Sequence, residues 1–148
     1  MKTLLREFAR TYPNVAMPES AKDFDEVAVG EDMFYVVDRA PLIIRAKGRL
    51  MPSLKFAEAL NSLPRVIVDM GAVPHIANGA DVMRPGIKNL RGDFGRGDLI
   101  VIVDEKFGKP IALGAAEVDS TEMRRVGKGN VIRSVHYVGD ELWRNFGK

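Results

Sequence analysis

The sequence of 148 residues contains no cysteine and only two histidines. The lack of cysteine excludes disulfides, thiol catalysis and the usual structural zinc sites, and two histidines give no basis for a metal cluster. No apolar run is long enough to span a bilayer, so no membrane contact is expected. Arg6 and Glu7 interrupt the apolar pattern of the first residues, which does not fit a signal peptide. We therefore expect a cytoplasmic protein without metal or other cofactor.

The composition, with 46% hydrophobic and 28% charged residues, fits a globular protein of one compact domain or two small ones. Residues 1–64 carry nine basic and nine acidic side chains, and residues 65–148 carry thirteen and eleven, so the net charge of +2 belongs to the second half. Within the second half, Arg84, Lys88, Arg91 and Arg96 are accompanied only by Asp93 in a stretch that we interpret as irregular loop. Such a loop can follow a phosphate backbone, although an isolated basic cluster is also typical of a solvated face.

The first half predicts a small α+β domain over residues 1–64. Leu4, Leu5 and Phe8 share one face of a short amphipathic helix over Lys2–Arg10. Pro52 and Ser53 indicate the start of a second helix, which Pro64 ends. Three short runs rich in valine, isoleucine and aromatic residues predict strands at residues 25–30, 33–38 and 41–46.

The second half predicts a small β-barrel with short helices over residues 65–148. Five consecutive aliphatic residues over Leu99–Val103 predict a central strand buried on both faces. Ser120–Arg125 fits one helical turn, and the C-terminal residues 140–146 fit a short helix. Further strands are expected at residues 66–68, 111–118 and 131–138. Many short strands with little helix in a domain of this size are typical of a closed or nearly closed barrel.

A run of residues in the second half resembles the PUA domain, a small RNA-binding barrel named after pseudouridine synthases and archaeosine transglycosylases. The pattern opens after a strand with Asp69, Gly71 and Ala72, continues with Ile76, and reaches a second Gly-Ala pair at residues 79–80. The loop that follows carries Pro85-Gly86-Ile87. One short helix fits between the two pairs, where backbone must approach closely without an intervening Cβ.

A more specific resemblance covers nearly the whole chain. The ending, with His136, Tyr137, Asp140 and Leu142-Trp143, together with Pro52-Ser53-Leu54, is similar to the malignant T-cell-amplified sequence family. That resemblance implies an N-terminal pre-PUA domain followed by a PUA domain. It also implies work in translation, on the small ribosomal subunit or on tRNA, with a translation-factor protein as a possible partner.

The resemblance to PUA domains also implies a location for the RNA, because in these domains it lies against the first helix, the glycine-containing loop and adjacent strands. Here those positions are Gly79, Ala80, Asp81, Arg84, Pro85, Gly86, Lys88, Arg91 and Arg96. A second basic cluster, Arg124, Arg125 and Lys128, either extends this surface or is a solvated helix end.

No residues stand out as catalytic. Asp69 and His75 are six residues apart, but no nucleophile accompanies them, so we expect His75 to be structural. A unit of 64 residues is too small for a base-modifying domain with a pocket for an extruded base. The first hypothesis is therefore a non-catalytic protein that binds structured RNA, either rRNA or tRNA. The alternative is an accessory subunit or adaptor of an RNA-modification or ribosome-biogenesis complex.

Overall fold

The computed structural model describes residues 1–17 and 21–147. The chain divides into two compact units, one of Met1–Ser62 with Arg144–Lys148 and the other of Leu63–Trp143. In the described part of the chain, no helix is long and apolar enough to cross a membrane.

The first unit contains a four-stranded antiparallel sheet, in which the strands pair in chain order. Asp38 and Arg39 connect the second and third strands with φ angles of 49° and 72°, as a tight two-residue hairpin turn requires. The elements are α1 (Lys2–Thr11), β1 (Phe24–Val29), β2 (Asp32–Val37), β3 (Ala40–Ala46), β4 (Arg49–Pro52) and α2 (Ala57–Asn61).

Aromatic rings form much of the core of the first unit. Phe8 in α1 is fully buried, and its ring centroid lies 4.8 Å from that of Tyr12 and 5.7 Å from that of Phe56. The ring of Phe146 meets that of Phe34 edge-on at 5.0 Å. This contact explains why the last residues of the chain belong to the first unit, although the sequence-based boundary grouped them with the second half.

The helix α1 and the first three strands are confirmed within one or two residues at each end. The strand β4 was missed, and the second helix begins later than predicted. Pro52 is the last residue of β4, where it pairs with Ile43, and Ser53 caps the following turn by accepting a hydrogen bond from the backbone N–H of Lys55 at 3.0 Å. Proline is tolerated here because it ends an edge strand.

The second unit is a curled six-stranded sheet in the order β6-β10-β9-β8-β5-β7, with β5 and β8 parallel and the other pairs antiparallel. Three short helices lie between or after its strands. The elements are β5 (Arg65–Val68), α3 (Val73–Ile76), β6 (Val82–Met83), β7 (Ile87–Arg91), β8 (Leu99–Asp104), β9 (Pro110–Ala116), α4 (Ser120–Arg125), β10 (Asn130–Tyr137) and α5 (Glu141–Asn145).

The sheet curls because its two edge strands are consecutive in the chain. A single 3₁₀ turn, Arg84–Gly86, leads from β6 at one edge to β7 at the other. Three residues can span only about 10 Å, so the two edges approach each other and enclose a barrel-like interior. The predicted β-barrel with short helices is therefore confirmed in part: among the described residues the sheet is curled, but its edge strands β6 and β7 are not paired with each other.

The central strand β8 is buried along its whole length, as its run of aliphatic residues predicted. Its neighbour β9 supplies the small residues that a narrow interior needs. A Cβ built on Gly114 would clash with the Cγ2 atom of Ile132 in β10. Any residue larger than glycine at position 114 would therefore clash with β10, so the side chains between β9 and β10 are closely packed.

One local prediction was wrong in the second half. The stretch from Arg84 to Arg96 was interpreted as irregular loop, but it contains the 3₁₀ turn and the edge strand β7. Strand β7 pairs with β5 on one side only. Its exposed positions carry Lys88, Asn89 and Arg91, so the sequence IKNLR lacks the aliphatic run that identified β8.

Candidate nucleic-acid interface

A pocket of about 450 Å³ lies between the end of β5, helix α3 and the 3₁₀ turn. Most of its lining is apolar, with carboxylates and an imidazole at a few points. The lining residues are Asp69, Ala72, His75, Ile76, Ala80, Asp81, Val82, Met83, Pro85 and Gly86.

Asp69 holds two walls of this pocket together. Its Oδ1 accepts a hydrogen bond from the backbone N–H of Ala72 at 2.8 Å, and this fixes the turn that begins α3. Its own N–H donates to the carbonyl of Gly86 at 2.9 Å, which ties that turn to the 3₁₀ turn. A Cβ on Gly86 would lie 3.1 Å from the Cβ of Ala72, so a glycine allows the two segments to approach this closely.

Gly79 ends the segment that contains α3 and turns the chain toward β6. Its φ of 91° lies in the left-handed region, which glycine adopts at little cost. A Cβ at this position would also lie 2.9 Å from the ring of Tyr137 in β10. The backbone N–H of Ala80 donates to the carbonyl of His75 at 3.0 Å. The position therefore requires glycine both for its backbone angle and for the space that Tyr137 occupies.

Asp81 anchors the floor of the pocket to β10. Its Oδ1 accepts a hydrogen bond from the backbone N–H of Ser134 at 2.8 Å, and its Oδ2 accepts one from the Asn130 side-chain amide at 2.9 Å. Both oxygens are thus engaged by the protein itself. These two hydrogen bonds hold the residue before β6 against β10.

Arg84 joins the pocket to helix α4. Its Nε donates to the Met123 carbonyl at 2.6 Å, and its Nη1 donates to the Ile87 carbonyl at 3.3 Å. Its backbone N–H donates to the carbonyl of Gly129 at 2.8 Å. The guanidinium therefore bridges two main-chain carbonyls, one in helix α4 and one at the start of β7.

Hydrogen bonds tie helix α4, which carries part of the second basic cluster, to the segments before and after β7, which carry the first. Beside the Arg84 bridge, Arg124 Nη2 donates to the Gly92 carbonyl at 3.2 Å. The loop that carries Arg96 is joined to the start of α4 by the Phe94 N–H, which donates to Ser120 Oγ at 3.2 Å. We call the exposed cations of this region the α4 basic surface: Lys88, Arg91, Arg96, Arg124, Arg125 and Lys128.

Two members of the α4 basic surface have acidic neighbours. Arg124 lies 3.4 Å from Asp93, and Arg125 pairs with Glu122 one helical turn earlier. The hydrogen bond that Arg125 donates to the Glu122 carboxylate raises the pKa of Arg125 above its ordinary value. Among the residues that the structure describes, the other four cations form no ion pair within 4 Å. These four, Lys88, Arg91, Arg96 and Lys128, are therefore best placed to receive phosphates.

Four of the predicted site residues line the pocket, namely Ala80, Asp81, Pro85 and Gly86, and Gly79 shapes it from behind. The apolar lining residues Ala72, Ile76, Val82 and Met83 were not among the predicted site residues. Met83 is 53% exposed. A methionine directly before the Arg-Pro-Gly turn was the one signal in the sequence that could have indicated an apolar rim of the pocket.

Asp69 and His75 both line the pocket, yet their side chains form no hydrogen bond with each other in the described part of the chain. The lining contains no serine, threonine, cysteine or lysine that could act as a nucleophile. Nor do the described residues bring three metal-binding side chains together. The arrangement suits binding of an apolar, flat group with charged groups beside it.

The comparisons with known proteins agree with this architecture. Residues 64–138 match the PUA domain family, and the chain belongs to that family. It is 35% identical to an uncharacterised protein of Methanocaldococcus jannaschii, over 97% of this chain and 90% of that protein. It is 29% identical to translation machinery-associated protein 20 of Saccharomyces cerevisiae, over 96% of this chain and 86% of that protein.

Solved structures give the same result for the fold. A PUA domain protein from Aeropyrum pernix, crystallised as a tartrate complex, matches with a TM-score of 0.85 and 31% identity over 99% of this chain and 88% of that one. A chain in an H/ACA ribonucleoprotein bound to a substrate RNA matches with a TM-score of 0.53 and 32% identity. That likeness covers 64% of this chain and 28% of the other.

Proposed function

We propose that this protein is a non-catalytic RNA-binding protein that acts in translation, and that its second unit holds the RNA. A PUA domain suggests RNA binding, and the similarity to a translation machinery-associated protein supports a role in translation. The observation that carries the proposal is the apolar pocket joined through Arg84 to the α4 basic surface. The pocket suits a base, and the α4 basic surface suits the phosphates that follow that base.

The pocket receives the base of an unpaired nucleotide. Its volume of about 450 Å³ lies in the range of small-ligand sites. Proteins that recognise RNA through single-stranded segments place unstacked bases against apolar or aromatic surfaces and contact their edges with polar groups. Ile76, Val82 and Pro85 supply the apolar walls, and His75 at the rim supplies a flat polar ring.

The α4 basic surface contacts the phosphates on either side of that nucleotide. Long, solvated side chains contribute charge without reading sequence, so binding strength depends on salt more than on base identity. Arg84 acts differently, because its guanidinium already binds two backbone carbonyls. Arg84 is therefore a positioning residue that keeps α4 beside the pocket.

The absence of catalysis is part of the proposal. The pocket offers two carboxylates and one imidazole, but the hydrogen bonds of Asp69 and Asp81 fix both carboxylates to the backbone. No serine, threonine, cysteine or lysine stands among the lining residues. Binding without chemical change of the RNA is what this set of groups supports.

The first unit corresponds, in this proposal, to a pre-PUA domain. Its role is to direct the RNA-binding unit to the small ribosomal subunit or to tRNA, with a translation factor as partner. Similarity to the yeast protein over 96% of the chain supports a shared two-unit organisation. Crosslinking the protein to RNA in cells, followed by sequencing of the attached fragments, separates tRNA from rRNA directly.

The second candidate function is that of an accessory subunit or adaptor in an RNA-modification or ribosome-biogenesis complex. The likeness to a chain of an H/ACA ribonucleoprotein favours it. Affinity purification with and without nuclease distinguishes the two. Partners that remain after nuclease treatment support the adaptor role, whereas loss of the associated proteins supports binding through RNA.

Charge reversal tests the proposed function in solution. The probe is a short RNA hairpin with a single-stranded 3′ tail, and the variant carries Lys88→Glu, Arg91→Glu and Arg96→Glu. We expect a large loss of affinity for all tail sequences. Single alanine variants should each lower the slope of log affinity against log salt concentration by roughly 0.7 to 0.9.

The matched control carries Lys2→Glu, Arg6→Glu and Lys47→Glu, which change the net charge equally at exposed positions of the first unit. This control should retain most of the affinity. If both triple variants lose affinity equally, only the total charge matters and the proposed surface is wrong. If neither variant loses affinity while both stay folded by circular dichroism, the α4 basic surface does not bind this RNA.

A further inference from the structure

Phe107 is the most exposed large apolar residue in the described part of the chain, with 73% of its surface accessible. It lies at the tip of the loop that connects β8 to β9. Glu105, Lys106 and Lys109 are its exposed neighbours in that loop. An aromatic ring held in water among charged side chains contributes little to the core, so its exposure calls for another explanation.

The loop that presents Phe107 is ordered by Asp104. This residue is only 5% exposed, and its carboxylate accepts hydrogen bonds from the backbone N–H groups of Phe107 at 2.5 Å and Lys109 at 3.1 Å. The hydrogen bond from the Phe107 N–H is the main reason why the pKa of Asp104 lies below its ordinary value. The backbone N–H of Gly108 also donates to the Asp104 carbonyl at 3.1 Å. The ring is thus carried on a fixed support, and little ordering is needed when it binds.

The loop of Phe107 lies at the same end of the strands as the pocket. Strands β5 and β8 run parallel, with Val68 opposite Asp104, and the backbone N–H of Glu105 donates to the Val68 carbonyl at 3.0 Å. The residue after Val68 is Asp69, which lines the pocket. The loop of Phe107 and the wall of the pocket therefore leave neighbouring strands at the same end.

The other exposed large apolar residues of the second unit lie at this end as well. Met70 follows Asp69 and is 39% exposed, and Met83 lines the pocket. This end of the second unit thus carries exposed apolar side chains, and the loop of Phe107 adds Lys106 and Lys109. Such a combination of a ring, apolar neighbours and cations is typical of proteins that bind single-stranded nucleic acid.

We propose that Phe107 is a stacking platform for a second unpaired base, on the RNA strand that continues from the pocket. Lys106 Nζ lies over the ring at 5.2 Å from its centroid, and the large exposed area leaves room for a base on the ring. Lys109, two residues after Phe107 and exposed, supplies a second cation in this loop for a neighbouring phosphate. This inference rests on the proposed function, because it requires that the pocket takes the adjoining part of the same strand.

A docked protein fits these observations less well. A stable protein interface buries roughly 800 Å² on each partner around an apolar centre that is depleted of charge. Phe107 stands instead as a single ring between Lys106 and Lys109. A base needs only one flat face and a cation near its phosphate, and any base can supply the stacking surface.

The test compares two RNA hairpins with the same stem, one with a single-stranded uridine 3′ tail and one with a blunt end. Binding of the full chain is measured by fluorescence anisotropy for the wild type, Phe107→Ala, Phe107→Leu and Phe107→Trp. We expect alanine and leucine to weaken binding of the tailed hairpin by on the order of tenfold, as for the loss of one stacked base. Tryptophan should keep or improve the affinity, and blunt-hairpin binding should be unchanged in every variant.

Two readouts separate this inference from the proposed function. Phe107→Ala should leave the slope of affinity against salt unchanged, since no phosphate contact is lost, whereas alanine at Lys88 or Arg91 lowers it. If the variants of the α4 basic surface lose affinity and Phe107→Ala does not, the stacking platform is wrong and the proposed function stands. If the wild type does not prefer the tailed hairpin, the inference is also wrong. Loss of a protein partner in Phe107→Ala with full RNA affinity overturns it in favour of protein docking.

Discussion

The Asp140 carboxylate lies 2.7 Å from Nδ1 of His136 and closes the last strand of the second unit against helix α5. The His136 side chain is completely buried, and that of Asp140 is 12% exposed. Asp140 also accepts hydrogen bonds from the backbone N–H groups of Tyr137 at 3.0 Å and Trp143 at 2.8 Å. One carboxylate therefore satisfies three donors at the end of β10, whose residue Tyr137 packs over Gly79 behind the pocket.

Replacing Asp140 should destabilise the protein in a way that depends on pH. Burial raises the pKa of Asp140, but the hydrogen bond and charge of His136 and the two backbone N–H groups lower it more, so it lies below its ordinary value of 3.8. A carboxyl with a lowered pKa in the folded state stabilises the fold above pH 3.8, and this contribution disappears as the pH falls through the folded-state pKa. We expect Asp140→Asn to lose about 1 to 3 kcal/mol at neutral pH.

Urea unfolding at a series of pH values from neutral to acid checks this prediction. The wild type and Asp140→Asn should differ most near neutral pH and approach each other in acid. A difference that stays constant down to the acid limit would show that the charge of Asp140 contributes nothing.

Gly79→Ala should lower stability and RNA affinity together. The φ of 91° is strained for any other residue, and the new methyl group would meet the Tyr137 ring at 2.9 Å. A cost of about 1 to 3 kcal/mol follows from strain and overpacking. Gly127→Ala is the control, because nothing lies within 4 Å of a Cβ there and its φ is not positive. Thermal unfolding with equal losses for both variants would refute the role of Tyr137.

Arg84 should matter for stability more than an exposed cation does. Arg84→Ala leaves the carbonyls of Met123 and Ile87 without their donor, and we expect a loss of about 1 to 3 kcal/mol in urea unfolding. Lys88→Ala, at an exposed position, should stay within about 0.5 kcal/mol of the wild type. An Arg84→Ala variant with full stability but greatly weakened RNA binding would instead make Arg84 a phosphate ligand.

Incubation with total RNA should produce no new modified nucleoside. The pocket lining contains no serine, threonine, cysteine or lysine, and its two carboxylates, those of Asp69 and Asp81, accept hydrogen bonds from the backbone N–H groups of Ala72 and Ser134. Mass spectrometry of the digested nucleosides provides the measurement. A reproducible new modification that disappears in Asp69→Asn or His75→Ala would show that the protein is an enzyme.

Much of the fold could be predicted from the sequence because its signals are local. The five aliphatic residues from Leu99 are buried on both faces of β8, and the Gly-Ala pairs at residues 71–72 and 79–80 enclose a short helix. Strand β7 was missed because an edge strand has one paired side, and its sequence, with exposed Lys88, Asn89 and Arg91, resembles a loop. Pro52 misled for a similar reason, since proline suits a helix start and the end of an edge strand equally well.

The candidate site was predictable only in part. The turn at Pro85-Gly86 and its cations were visible in the sequence, but the position of α4 was not. That position depends on hydrogen bonds between residues 39 apart, such as Arg84 and Met123. The same contact shows that a basic residue within a basic cluster can donate hydrogen bonds to backbone carbonyls of its own chain instead of binding a ligand. The exposure of Phe107 likewise follows from the loop that Asp104 organises, which no periodicity reveals.

Mapping of amide chemical shifts by NMR tests the central claim most directly. The isotope-labelled full chain is titrated with the tailed RNA hairpin, and the shift of every assigned backbone amide is recorded. We predict that the largest shifts fall in residues 69–87, which form the pocket, and at the α4 basic surface. Residues of the first unit should change little with this probe. Saturable binding with shifts confined to residues 1–62, or spread evenly over both units, would contradict the proposal that the second unit holds the RNA.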